Sequence, residues 1–141
     1  MSPAIAEDLD AEAIAVTYLK AEASMAALVD DAQIGSRLHR SWAPGISALR
    51  IRRIGGTPTE QAAKHLRRYR LQIDAFAGTE ATAFAVGARA KALLEGMAGE
   101  VTGGVITAVD EDLPLANVGD PDSDSERYIF GVVLYAHRSA A

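Results

Sequence analysis

Hydrophobic and polar residues recur along this chain with two different periods, and the switches between them mark out its elements. Residues 9–29 place Leu9, Ala13, Val16, Leu19 and Ala23 in one stripe at three- and four-residue spacing, widened by Ile14, Tyr18, Met25 and Leu28. That spacing predicts an amphipathic helix. Asp8 or Asp10 suits its cap, Glu12 its first turn, and Asp30, Asp31 and Gly35 end it. Pro44 and Gly45 punctuate a turn over 41–46, preceded by a short strand near 33–38. Residues 46–54 read as a strand with Leu49 and Ile51 on one face and Arg50 and Arg52 on the other, and Gly55-Gly56-Thr57-Pro58 breaks it.

The clearest alternation lies over 66–76. Tyr69, Leu71, Ile73 and Ala75 share one face of this strand, and Arg68, Arg70, Gln72 and Asp74 share the other. Gly78 ends it, and Thr79 is placed to cap a second helix over 80–97, with Ala83, Val86, Ala90, Leu93 and Met97 as its stripe. Residues 101–110 read as a strand. Residues 111–126 hold six acids, two prolines and a glycine, which predicts an exposed, mobile acidic loop. Residues 127–136 are apolar at both parities, the pattern of a strand covered on both faces. The expected fold is therefore α+β: a mainly antiparallel sheet of about four or five strands with two long helices packed on it, in the order α-β-β-α-β-β.

Composition changes this picture little. The chain has 141 residues, 49% of them hydrophobic, enough for one domain spanning 1–141 with a core of its own. With no cysteine it has no disulfide, thiolate metal site or thiol nucleophile. No apolar run reaches the roughly 18 residues that span a bilayer. The acids of residues 1–10 sit where a signal peptide needs positive charge.

Charge changes it more. The net charge of −5 conceals a segregation: residues 1–31 carry seven acids and one Lys, residues 34–76 nine bases and two acids, and residues 110–141 seven acids and two Arg. Such blocks either pair within the fold as solvated faces or form complementary patches between subunits.

A search for chemistry finds little. His39, His65 and His137 are far apart and in no ligand spacing. Ser36, Ser41 and Ser47 lack the Gly-x-Ser-x-Gly setting of a nucleophile elbow. Gly55-Gly56 and Gly103-Gly104 lack the Lys-Ser/Thr ending of a phosphate loop. Asp120, Asp122 and Asp124 imitate the start of a calcium loop, but the sixth position is Ser125 and the twelfth is Gly131. No catalytic residue, metal ligand or cofactor is expected. Arg50, Arg52, Arg53, Arg67, Arg68 and Arg70 suit phosphates or interface ion pairs, with no nucleic-acid-binding signature beside them.

The segment Leu49-Arg-Ile-Arg-Arg-Ile-Gly-Gly56 resembles the strand-plus-glycine motif of bacteriophage tail terminators, also described as tail completion or head-tail joining proteins. Arg70-Leu-Gln-Ile-Asp-Ala-Phe-Ala-Gly78 is similar to that family's second characteristic strand, and the Ala-rich helix 79–97 sits where the family has its long helix. A strand near Gly103-Gly104-Val105, an acidic loop and Arg127-Tyr-Ile-Phe-Gly-Val-Val-Leu-Tyr135 complete a likeness over about residues 9–138. The resemblance implies a non-enzymatic virion protein, assembled in the host cytoplasm, that forms an oligomeric ring, usually hexameric. Such a ring caps the tail tube, stops its polymerisation and joins tail to head. The implied partners are further copies of the chain, the major tail protein and head-completion proteins. DNA passes the lumen without sequence readout, and no membrane is involved.

The interface candidates are Arg50, Arg52, Arg53, Arg68, Arg70, Asp74, Asp120, Asp122 and Asp124. Other readings are another neck, head-closure or minor tail protein, a small oligomeric ligand-binding domain or enzyme, and a nucleic-acid binder.

Overall fold

The computed structural model describes residues 9–55, 67–119 and 125–137. Its first helix, α1 (Ala11–Ala21), starts where Asp10 accepts a hydrogen bond from the Ala13 N–H at 3.0 Å. The helix expected over 9–29 breaks at Glu22, which is extended, and a single turn follows, α2 (Ala23–Ala26). Ala11, Ile14, Ala15 and Leu19 form the buried face of α1. Beyond the break Met25 and Val29 are buried in the same core. A 3-10 turn at Asp31–Gln33 then leads into a two-residue strand, β1 (Ile34–Gly35).

β2 (Ala48–Gly55) and β3 (Arg67–Ala77) follow, with α3 (Glu80–Glu95) after them, capped by the Thr79 hydroxyl accepting from the Thr82 N–H at 3.2 Å. β4 (Gly99–Val101), β5 (Gly104–Asn117) and β6 (Glu126–His137) complete the order. The strands form one six-stranded sheet in the order β1-β2-β3-β6-β5-β4, curled into half a barrel. β1 runs parallel to β2, and every other pairing is antiparallel.

This corrects the expected architecture of four or five strands beneath two long helices. Among the described residues the sheet is mixed, has six strands and dominates the fold, and of three α-helices only α1 and α3 exceed one turn. Two local features account for the difference. The strand read over 101–110 is a hairpin, because Gly103, at φ 105°, reverses the chain between β4 and β5.

The acidic segment 111–117, expected to be a mobile loop, is the second half of β5. Its acids have partners there. Lys91 on α3 donates to Glu111 at 2.7 Å, and Arg70 on β3 donates to Asp112 at 3.0 Å. Leu113 and Leu115 alternate between the sheet's faces, Leu113 over Gly131 and Leu115 against Gly87. Pro114 is tolerated because, among the described residues, this part of β5 has a strand on one side only.

The helices cover one face of the sheet. Leu49, Ile51, Leu71, Ile73, Phe130, Val132 and Leu134 meet Leu19, Val86 and Leu94 there, all fully buried. Tyr69 joins them, and its hydroxyl accepts from the Leu9 N–H at 3.0 Å. Gly87 lets α3 lie close to the sheet, since a Cβ there would stand 2.9 Å from Leu115 Cδ1. β6 is buried on both faces from Phe130 to Leu134, as its unbroken apolar run implies.

Two predictions follow from this packing. Ile73 is 0% exposed at the middle of the core, so Ile73→Asp places an unpaired charge there. The cost is comparable to a whole domain's stability of about 5–15 kcal/mol, and the variant should show no cooperative thermal transition by circular dichroism.

The second concerns alkaline pH. Lys91 is held above its ordinary value mainly by its bond to Glu111, and Tyr128 above its own by desolvation and then by donating to Glu80. Both groups keep their protons longer in the folded chain than in the unfolded one. Their contribution is therefore complete below the ordinary values of 10.5 and 10.0 and is lost as pH rises through the raised ones. Urea titrations between pH 8 and 11 should show wild type losing more stability than a Lys91→Met/Tyr128→Phe variant.

Candidate functional site

The face of the sheet opposite the helices is built from the second parity of β2 and β3. Alternation that turns Leu49, Ile51, Leu71 and Ile73 inward turns Arg50, Arg52, Arg68, Arg70, Gln72 and Asp74 to this side. The antiparallel register sets Arg50 opposite Asp74 and Arg52 opposite Gln72. Beyond β3, Arg68 lies opposite Tyr135 of β6, and Arg70 opposite Val133.

Asp74 is the anchor. Its side chain is 0% exposed, and both carboxylate oxygens are engaged. Arg50 donates through Nε at 2.8 Å and through Nη2 to Oδ2, Arg52 Nη2 reaches the same oxygen at 3.3 Å, and Gln72 Nε2 donates to Oδ1 at 3.0 Å. Arg50 also lies over the Phe76 ring, 5.4 Å from its centroid, and Phe76 meets Trp42 edge-on at 5.5 Å. Trp42 is fixed in turn by donating to the Ile46 carbonyl at 2.8 Å. The guanidinium of Arg50 is thus held on one side by charge and on the other by an aromatic face. Arg52 is looser: its side chain is 43% exposed, and its Nε is buried with no hydrogen-bond partner among the described residues.

The structure brings together four of the expected arginines and separates the fifth. Arg53 lies at the helix-covered side, its guanidinium 4.8 Å from the Tyr69 ring centroid and its backbone N–H donating to Glu12 at 2.7 Å. Asp120, Asp122 and Asp124 lie outside the described residues. Among the described residues, Asp74 and Asp112 are acids that meet these arginines. Sequence reasoning missed the role of Asp112 because its acidic, proline-containing surroundings suggested a loop. Register shifts on either side of Leu113 break the two-residue alternation that would have marked the strand.

The histidines add no reactive constellation. His39 Nδ1 lies 2.7 Å from the Ser41 hydroxyl, but it also accepts from the Ser41 N–H at 3.1 Å, and Gln33 donates to that hydroxyl. This is a local knot that holds an exposed turn. Among the described residues no group of three or more His, Asp or Glu side chains is arranged to hold a metal ion. No described helix is long and apolar enough to cross a membrane. A depression lined by Leu9, Asp10, Ala11, Glu12 and Arg53 is open to solvent. What the arginine face offers is directional, charge-assisted contact to anionic groups over a rigid sheet.

The two ion pairs on this face should differ sharply in worth. Arg50→Met removes the main partner of a fully buried carboxylate and should cost about 3–5 kcal/mol. Asp112→Ala opens a half-exposed pair and should cost less than about 1 kcal/mol. Chemical denaturation of the two variants beside wild type measures both.

No family model matches this chain, and no curated protein matches it in sequence. Among solved structures, a chain of the virion of a native gene transfer agent (GTA) particle shares the fold, with a TM-score of 0.71 and 16% identity. The match covers 90% of this chain and 94% of that one.

Proposed function

We propose that this chain is a non-enzymatic structural protein of a virion particle, and that within the particle it serves as a tail terminator. One observation carries the reading: the fold is shared almost end to end with a chain of a gene transfer agent virion, at a TM-score of 0.71. The match leaves only 10% of this chain and 6% of that one uncovered, so the likeness is to a whole subunit and not to a motif. The order of segments that resembles tail terminators supports the finer role. In that role copies of the chain form a ring, with six as the expected number, at the head-proximal end of the tail. The ring caps the tube of major tail protein and presents its other side to head-completion proteins, while DNA passes through the lumen.

The arginine face has the character of a protein contact. Arg50 and Arg52 are committed to Asp74 and stiffen the surface. Arg52 and Arg70 keep 43% and 41% of their side chains exposed, enough to meet a partner's carboxylates. A conduit gains nothing from tight phosphate contacts, since each would retard the passing genome. An arginine paired to a carboxylate across a partly buried contact is worth more, and truncating one side of such a pair costs about 2–5 kcal/mol.

The test is a tube-capping assay run beside a DNA-binding assay at several salt concentrations. Wild type should halt tube elongation, and Arg68→Glu should weaken capping while leaving the chain folded. If the variant caps normally but loses tight, salt-sensitive DNA binding, the face is a nucleic-acid surface. If wild type does not recognise tubes at all, the terminator role is wrong.

A further inference from the structure

The sheet has an electrical direction along its strand order. The segment that forms one edge, residues 34–55 with β1 and β2, carries five arginines and no acid: Arg37, Arg40, Arg50, Arg52 and Arg53. The segment that forms the other edge, residues 99–119 with β4 and β5, carries four acids and no base: Glu100, Asp110, Glu111 and Asp112. Some of these charges are satisfied within the subunit, through Asp74, Lys91 and Arg70. Arg37 and Arg40 on one side, and Glu100 and Asp110 on the other, are exposed and make no ion pair among the described residues.

The acidic edge is also open. β4 pairs with β5 only over Gly104–Ile106, so from Thr107 to Asn117 β5 has β6 on one side and no strand among the described residues on the other. Breaks in register after Ile106, Glu111 and Leu113, together with Pro114, keep it from being a flat template. The basic edge differs. β1 covers Leu49 and Arg50, and the Glu12 carboxylate takes the N–H of Arg53.

We propose that the open acidic edge of β5 docks the arginine-bearing β1–β2 edge of a second copy of this chain, an inference that rests on the ring reading above. Charge decides both the occupant and the symmetry. Two β5 edges brought together would oppose Asp110 and Glu111 to their own copies, so the self-complementary dimer is disfavoured. Acidic edge to basic edge is a head-to-tail contact. It leaves one edge of each kind free at the ends of a growing arc, and the arc closes as a ring when the rotation per subunit closes. The contact lies at the sheet edges and leaves the central arginines of β3 to other partners.

The experiment is a charge swap read by sedimentation velocity on the full-length protein, alone and with tail tubes. Asp110→Arg and the pair Arg37→Glu/Arg40→Glu touch exposed side chains, so both variants should melt as wild type does. Each should raise the concentration needed for self-association by at least about tenfold. An equimolar mixture of the two should restore association, because every contact in an alternating arc then pairs opposite charges. Amides of residues 107–117 should gain hydrogen-exchange protection in the assembled state.

Variants that assemble like wild type, or a mixture that fails to restore assembly, would overturn the edge contact and leave the terminator role intact if tubes are still capped. Restored association by a protein that ignores tubes keeps the edge contact and removes that role. A wild-type chain that stays monomeric alone and on tubes overturns both.

Discussion

A carboxylate with no exposed surface has to be neutralised where it stands, and Asp74 imposes that condition on the middle of this sheet. Arg50 and Arg52 reach it from β2, and Gln72 from its own strand, which ties the two strands in one register. A slip of one residue would turn Leu71 and Ile73 to solvent and the arginines into the core. Apolar burial on one face and charge pairing on the other therefore enforce the same alignment. Phe76 and Trp42 extend the arrangement to the turn before β2, since Arg50 stacks on one ring and that ring on the other. The loss of rotamer freedom in three long side chains is offset because the carboxylate would be untenable without them.

Much of the fold is legible in the sequence where one force acts alone. The alternation of Tyr69, Leu71, Ile73 and Ala75 with polar residues gives β3, Thr79 gives the start of α3, and the unbroken apolar run from Ile129 to Leu134 gives a strand covered on both sides. The placing of Arg50, Arg52, Arg68 and Arg70 on one face follows from parity, and the short link between the strands suggests their adjacency.

Other features depend on two segments meeting, and a one-dimensional pattern does not carry that. The helical stripe runs through Glu22 to Met25 and Val29 without a change of period, so it does not mark the break there. Residues 111–117 are a strand because Lys91 and Arg70 wait for Glu111 and Asp112, and because Gly131 and Gly87 leave room for Leu113 and Leu115. Acids and a proline read as loop until their partners are known. Arg53 departs from its neighbours for a simpler reason: an odd position on β2 belongs with Leu49 and Ile51, on the side of Tyr69.

The same folding event sorts the charges of this chain. Part of the segregation visible in the sequence is satisfied inside the subunit, in the pairs that Asp74, Glu111 and Asp112 make. The residue of that sorting is spatial. A sheet in the order β1-β2-β3-β6-β5-β4 carries the arginine-rich segment to one edge and the acid-rich segment to the other, with β3, which holds three Arg and one Asp, and the balanced β6 between them. An isolated subunit of this kind has a dipole lying across its strands, and among the described residues no strand lies along the open half of β5. The arrangement lowers its own electrostatic energy when copies line up edge to edge, and it raises that energy when they meet as mirror pairs. Strand order, and not any single residue, is what makes this subunit directional, and a directional subunit is what a closed ring requires.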